Sequence, residues 1–273
     1  MIANVLSIAG TDPTGGAGIQ ADLKSFAAHG THGMAVITAV VAQNTMGVRS
    51  FIALEPQFVA EQIDAVFDDV RVDAVKIGMV PTADIAAVIA DRLIAHGARN
   101  IVLDPVMVAK SGDRLLRPDA VAAIRDRLLP LARLITPNLP EAAMLLGAEP
   151  IASLGGMRLR AGELAALGGG AVLLKGGHLD GPESIDVLHA DGGITEHAAP
   201  RIATGNLHGT GCTLSAAIAA LLPSLPLVQA VEQAKLYLTE ALRASDQLTV
   251  GHGHGPVHHF HAWWRGGSPA EDR

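Results

Sequence analysis

The sequence predicts an α/β fold with a mostly parallel central sheet covered by helices. Short β-branched apolar runs alternate with amphipathic segments at helical spacing, and each run delivers a glycine or polar residue at or just beyond its C-terminal end. Size agrees, because 273 residues that are 49% hydrophobic and 17% charged can bury a large core, and alternating strands and helices let one domain reach this length. No linker or repeat divides the chain, so residues 1–265 are expected to form one domain, and residues 266–273, mostly glycine, proline and charge, a disordered tail.

In chain order, the apolar run 5–9 is a strand followed by Gly10 and Asp12, and 18–29 is a helix closed by Gly30. A second strand at 34–41 leads to Gln43 and Asn44, and a helix follows at 56–69. Strand 74–77 ends on Gly78 and Met79, helix 83–96 stops at Gly97, and strand 101–103 ends on Asp104. Helix 118–129 comes next, then strand 134–136, with Asn138 as the cap of a helix at 141–146. Strand 172–174 ends on Lys175, Gly176 and Gly177. Segments 185–187 and 194–197, separated by Asp191-Gly192-Gly193, form a hairpin at the sheet edge.

Ligands in open α/β sheets bind outside the carboxyl ends of the strands, and here that rim is crowded with acids, amides and glycines. The segment His208-Gly209-Thr210-Gly211-Cys212-Thr213 adds a helix start, where free backbone N–H groups and the helix dipole attract an anion. The same field is expected to lower the pKa of the Cys212 thiol; the bland alternative is a tight turn followed by a small packing residue.

Several classes are excluded or disfavoured. A formal charge of −7, no basic block and 3% aromatics argue against nucleic acid and for a small-molecule partner. One cysteine precludes internal disulfides, the first six residues lack the features of a signal peptide, and apolar runs such as 34–42 and 216–222 are too short to span a bilayer. A cytoplasmic location away from membranes is expected. No P-loop occurs, and Gly15-Gly16-Ala17-Gly18 lacks the spacing of a dinucleotide fingerprint. His252, His254, His258, His259 and His261 are set aside as a metal site, because glycine and proline interrupt them and no acid or cysteine accompanies them.

Residues 8–22, Ile-Ala-Gly-Thr-Asp-Pro-Thr-Gly-Gly-Ala-Gly-Ile-Gln-Ala-Asp, resemble the opening signature of the hydroxymethylpyrimidine/phosphomethylpyrimidine kinases of thiamine biosynthesis, members of the ribokinase superfamily. So do Ala42-Gln43-Asn44-Thr45, Val75-Lys76-Ile77-Gly78-Met79, Leu103-Asp104-Pro105-Val106-Met107, Thr136-Pro137-Asn138-Leu139-Pro140-Glu141, Lys175-Gly176-Gly177-His178, the 208–213 segment and the histidine-rich 255–261. The resemblance extends from Val5 to about Trp264.

It implies a ribokinase-like three-layer α/β/α kinase domain. ATP would phosphorylate 4-amino-5-hydroxymethyl-2-methylpyrimidine and then the resulting monophosphate. By the family pattern Gln43 would hydrogen-bond the pyrimidine, Met79 and Val106 would wall the ring, Gly10 would lie beside it, and Asp22 would reach the substrate or stand as an exposed helix acid. The Gly209, Thr210, Gly211 and Cys212 amides would hold the moving phosphoryl group; Asp104 and Glu141 are hard oxygen ligands suited to Mg²⁺. Lys175, Asn138 and Lys235 fall to the ATP side. Cys212, where related sugar kinases carry aspartate, would be a thiolate base or a group that positions the alcohol. A homodimer is also implied. The rival readings are a pyridoxal kinase and a pyrimidine-binding regulator without catalysis; a sugar kinase fits poorly, since little sequence between the first strand and helix is left to build lid strands.

Overall fold

The computed structural model describes residues 1–107, 118–168 and 170–264. Its strands are β1 (Asn4–Ala9), β2 (His32–Ile37), β3 (Ala39–Asn44), β4 (Gly47–Ala53), β5 (Ala74–Ile77), β6 (Ile101–Leu103), β7 (Leu134–Ile135), β8 (Ala171–Leu174), β9 (Glu183–Ala190) and β10 (Gly193–Pro200). The helices are α1 (Gly18–Ala28), α2 (Pro56–Phe67), α3 (Ala83–Ala95), α4 (Pro118–Ala123), α5 (Leu139–Leu146), α6 (Leu154–Ala166), α7 (Thr210–Leu221) and α8 (Leu227–Arg243). Among the described residues, eight strands form one sheet in the order β10-β9-β8-β7-β6-β5-β1-β2, while β3 and β4 form a separate pair. Pairing is parallel from β8 across to β2, and antiparallel for β8 with β9 and β9 with β10.

Strand alternation sorts the apolar side chains into two cores, one on each face of the sheet. Leu6, Ile8, Val75 and Ile77 point into the core covered by α2, α3, α5 and α6. Val5, Ala74, Val102 and Leu134 point the other way, against Phe26 of α1 and the apolar faces of α7 and α8. This is the expected three-layer arrangement. The strand order reverses at β1, which lies between β5 and β2, so a crevice opens at the carboxyl ends of β1 and β5. Among the described residues no helix is long and apolar enough to cross a membrane.

The strand expected at 34–41 is two strands. Thr38 breaks it: its N–H bonds Ala9 O at 3.0 Å and its hydroxyl donates to Met79 O at 2.7 Å, which turns the chain out of the main sheet. Strands β3 and β4 then fold into a hairpin flap, and β4 was not expected from the sequence; lid strands therefore do exist, after β2 rather than between β1 and α1. The helix expected at 118–129 is regular only to Ala123, then widens into a π turn at Ile124–Leu128 and tightens at Leu129–Leu131, because Pro130 cannot donate to Asp126 O. The edge hairpin is present and longer than expected; Asp191 and Gly192 turn it with φ of 50° and 75°. Helices α6 and α8 were not singled out from the sequence. The tail expected at 266–273 lies outside the described residues.

Candidate functional site

The carboxyl ends of the parallel strands open into a cavity of about 1010 Å³. The N-terminus of α7 faces it, with Gly209 as the capping residue at φ 74°, a conformation open to glycine and strained for other residues. A Cβ on Gly209 would lie 1.8 Å from Gly16 O, so this turn packs directly on the 15–17 turn that precedes α1. Asp12 clasps the two turns together. Its Oδ1 accepts from Thr14 N and Oγ1 at 2.9 and 2.8 Å; its Oδ2 accepts from Gly16 N, Ala17 N and His208 Nε2 at 3.0, 2.8 and 2.7 Å. Burial raises the Asp12 carboxyl, but His208 and Thr14 outweigh it and bring the pKa down to about 2. The first turn of α7 lines the cavity through Thr210, Gly211 and Cys212; Thr210 N donates to Leu207 O at 3.5 Å, and no helical carbonyl can reach the Gly211 and Cys212 N–H groups.

Beside this turn lies a cluster of charges. Asp104, just past β6, accepts from Lys175 Nζ at 2.8 Å and Thr136 Oγ1 at 3.1 Å through Oδ1, and from Ser215 Oγ at 3.3 Å through Oδ2. Burial pushes its carboxyl up, yet the Lys175 and Lys76 charges prevail and hold it below the usual carboxylate range. Glu141 sits one turn into α5 and closes a capping box: Asn138 Oδ1 accepts from Glu141 N at 2.9 Å and Glu141 Oε2 accepts from Asn138 N at 2.8 Å. Its carboxyl is pushed up to about 7, by burial first and then by Asp104, against the pull of Lys175. Lys175 loses basicity to burial and regains more from Asp104 and Glu141.

The other wall is apolar. Gly10, Val41, Gln43, Met79 and Val106 line it, with Gln43 reaching in from the flap. A Cβ on Gly10 would meet Met79 Sδ at 3.0 Å, so a side chain here would press on Met79 at this wall. At the opposite end Lys235 of α8 lines the cavity while paired to Asp186 Oδ2 at 2.6 Å; Asp186 Oδ1 accepts from Gly176 N at 2.9 Å.

The structure thus brings Gly10, Gln43, Met79, Asp104, Val106, Asn138, Glu141, Lys175, Gly209, Thr210, Gly211, Cys212 and Lys235 to one cavity. Asp22 is the exception. It neither lines the cavity nor faces solvent: wholly buried in α1, it accepts from Ser7 Oγ at 2.6 Å and Lys76 Nζ at 2.9 Å. The second correction concerns Cys212. Its thiol is pushed up to about 11, not down, because burial and the carboxylates of Asp22 and Asp104 exceed the help of Lys76 and the Gly18 N–H. Lys76 was missed as a site residue although it lines the cavity; burial opposes its charge and Asp22 restores it. A lysine inside the apolar run 74–77 was the available signal, since a buried ammonium requires a partner. His208 with Asp12 was also missed as a structural pair; the two are far apart in sequence.

Similarity to known proteins runs along nearly the whole chain. The family profile described as phosphomethylpyrimidine kinase matches residues 12–258. The hydroxymethylpyrimidine/phosphomethylpyrimidine kinase of Escherichia coli strain K12 is 58% identical over 96% of this chain and 98% of its own length. Among solved structures, the ADP complex of Bacillus subtilis pyridoxal kinase superposes with a TM-score of 0.89 at 35% identity, covering 96% of this chain and 99% of that one. The phosphomethylpyrimidine kinase of Clostridium difficile 630 superposes with a TM-score of 0.78 at 43% identity, covering 88% of this chain and 99% of its own.

Proposed function

The chain belongs to the phosphomethylpyrimidine kinase family, and on that premise we propose how its own residues carry the reaction. It is an ATP-dependent kinase that phosphorylates 4-amino-5-hydroxymethyl-2-methylpyrimidine and then the resulting monophosphate, giving the diphosphate precursor of thiamine. One observation carries the division of labour: strand-end polar groups and the N-terminus of α7 converge on a single cavity that is apolar at one end and charged in the middle.

The pyrimidine ring lies at the apolar end between Met79 and Val106, over Gly10, with the Gln43 carboxamide pairing its amino group and ring nitrogen. The hydroxymethyl group then points at the Gly209–Cys212 turn, whose N–H groups meet the charge that grows on the transferred phosphoryl group. Lys175 and Asn138 face the ATP phosphates, and Lys235 the far side of the nucleotide. Cys212 stays a thiol at neutral pH and hydrogen-bonds the alcohol rather than acting as a thiolate base; as the new O–P bond forms and the bond to ADP breaks, the hydroxyl proton passes to an oxygen of the transferred phosphate. The second substrate is a phosphate monoester, already largely ionised near neutral pH with a second pKa of about 6, so that step has little need of a base.

The donor set suits Mg²⁺. Asp104 and Glu141 present hard oxygens at the charged centre, and Glu141, whose burial outweighs Lys175 and the Asn138 and Met107 N–H groups, is a carboxylate that a divalent cation would ionise. Among the described residues no group of three or more His, Cys, Asp or Glu gathers, so the other positions on such an ion would have to come from phosphates and water. An Mg²⁺ held by Asp104 and Glu141 would supply neutralisation of the phosphate charge.

We further read residues 1–265 as one kinase domain acting in the cytoplasm. A homodimer is supported by the outer side of the flap, where Val40 and Ile52, paired across β3 and β4, are 52% and 73% exposed. The test of function is ATP- and Mg²⁺-dependent phosphorylation of the hydroxymethylpyrimidine beside pyridoxal, with products resolved by mass. Pyrimidine diphosphate supports both steps. Faster pyridoxal phosphate formation without pyrimidine diphosphate moves the chain to the activity of its B. subtilis structural neighbour.

A further inference from the structure

The histidine-rich stretch Gly251-His252-Gly253-His254-Gly255 has no part in the chemistry above, and its histidines 252 and 254 are exposed. Its glycines are what the structure uses. A Cβ on Gly251 would lie 2.2 Å from Thr45 Oγ1, one on Gly253 2.2 Å from Thr45 O, and one on Gly255 2.1 Å from Asn206 Oδ1. The backbone at 251–255 therefore lies against the tip of the flap and against the loop leading to His208, closer than any side chain allows.

Hydrogen bonds fasten it at both ends. At the flap, Gly253 N donates to Thr45 Oγ1 at 3.1 Å and His254 N donates to Thr45 O at 2.9 Å. At the phosphate turn, His208 N donates to Gly255 O at 3.0 Å, and His259 Nε2 lies 3.0 Å from Thr213 Oγ1, one residue beyond Cys212. Tyr237 Oη to His259 O at 2.8 Å and His258 N to Ala241 O at 3.0 Å hold the same segment to α8. The flap needs such an anchor. Its pairing slips at Ala42/Gln43, a bulge of the kind that re-aims a side chain, and only Asn44 and the turn residues Thr45 and Met46 separate Gln43 from β4.

We propose that residues 251–259 form a strap that fixes the flap in register with the phosphate turn, with Thr45 and Gly253 as positioning residues for pyrimidine recognition. This rests on the reading that the flap contacts the ring through Gln43; Val41 of the flap lines the same wall. Neither Thr45 nor Gly253 lines the cavity, so their effect passes through the flap.

The test is steady-state kinetics with each substrate varied, on Gly253→Ala, Thr45→Val, Thr45→Ser and Gln43→Ala, together with melting temperatures. Gly253→Ala is expected to raise KM for the hydroxymethylpyrimidine about tenfold while leaving KM for ATP unchanged, since displacement of a binding group by a fraction of an ångström suffices. Thr45→Val, which removes one hydrogen-bond acceptor at constant volume, is expected to raise the same constant about fivefold, and Thr45→Ser to restore it. Unchanged pyrimidine KM in folded Gly253→Ala and Thr45→Val overturns the strap, as does an equal rise in both KM values. Gln43→Ala reports separately: if it leaves pyrimidine KM unchanged while Gly253→Ala raises it, the role of Gln43 falls and the strap stands, acting through Val41.

Discussion

Replacing Glu141 with glutamine should make the protein more stable and a worse enzyme. The carboxyl rises from an ordinary 4.5 to about 7 because it is buried beside Asp104. Each tenfold change in acidity is worth about 1.4 kcal/mol, so holding this group ionised above pH 7 costs the folded state about 3 kcal/mol. The sign follows from the raised value: the folded protein binds the proton more tightly than the unfolded chain, and stability falls as pH climbs from 4.5 through about 7. Glutamine removes the charge and keeps an oxygen to accept from Asn138 N, so the α5 cap survives. Without metal at pH 8, Glu141→Gln should melt several degrees above wild type, because about 1 kcal/mol moves a domain of this size by roughly 2–4 °C. Half-saturation by Mg²⁺ at fixed ATP should rise about tenfold from pH 8 to 6 in wild type, as the ionised fraction falls, and stay much flatter in the variant, which shares the titration of ATP itself. A variant that melts no higher than wild type at pH 8, or the same Mg²⁺ slope in both proteins, refutes the reasoning.

Three other outcomes are expected. Cys212→Ala should slow phosphorylation of the alcohol more than that of the monophosphate, and the wild-type alcohol step should show no ionisation between pH 8 and 9, since the thiol is pushed up to about 11; product-resolved quench kinetics checks both, and equal losses count against contact with the alcohol. Gly209→Ala puts a methyl 1.8 Å from Gly16 O at φ 74°, so the turn must shift and kcat should fall about 10²- to 10³-fold, as when an anion-hole donor is lost; a wild-type kcat in the folded variant speaks against the turn as the phosphoryl site. His259 is held neutral, pushed down to about 3 by burial and by the charge of Lys24, so stability should drop as pH falls below the ordinary histidine value, by up to about 1.4 kcal/mol per pH unit, and His259→Gln should flatten that slope in a calorimetric pH series.

What could be read in the sequence was whatever local chemistry decides. The buried strands 5–9, 74–77, 101–103 and 172–174 are short, mainly apolar runs, and a glycine or polar residue at each end signals the rim without knowledge of the fold. The 208–213 segment announces a helix start by its glycines alone. The flap was not legible, because Thr38 is turned out of the sheet by partners at Ala9 and Met79, and β4 is too exposed to show a buried face. Helix α6 hid behind three glycines. Helix α8 did carry a signal, with Ala230, Val231, Ala234 and Ala241 on one buried face. The sign of the Cys212 shift depended on burial and on Asp22 and Asp104, which come from α1 and the end of β6. Local sequence gives the helix dipole at once; the desolvation that overrides it is a property of the packed molecule.

A crystal structure with ADP and the hydroxymethylpyrimidine bound tests the central claim most directly. The ring is expected between Met79 and Val106 with the Gln43 carboxamide on its polar edge, and the hydroxymethyl oxygen directed at the Gly209–Cys212 turn. A ring lodged elsewhere, or a hydroxymethyl group turned away from α7, would contradict it.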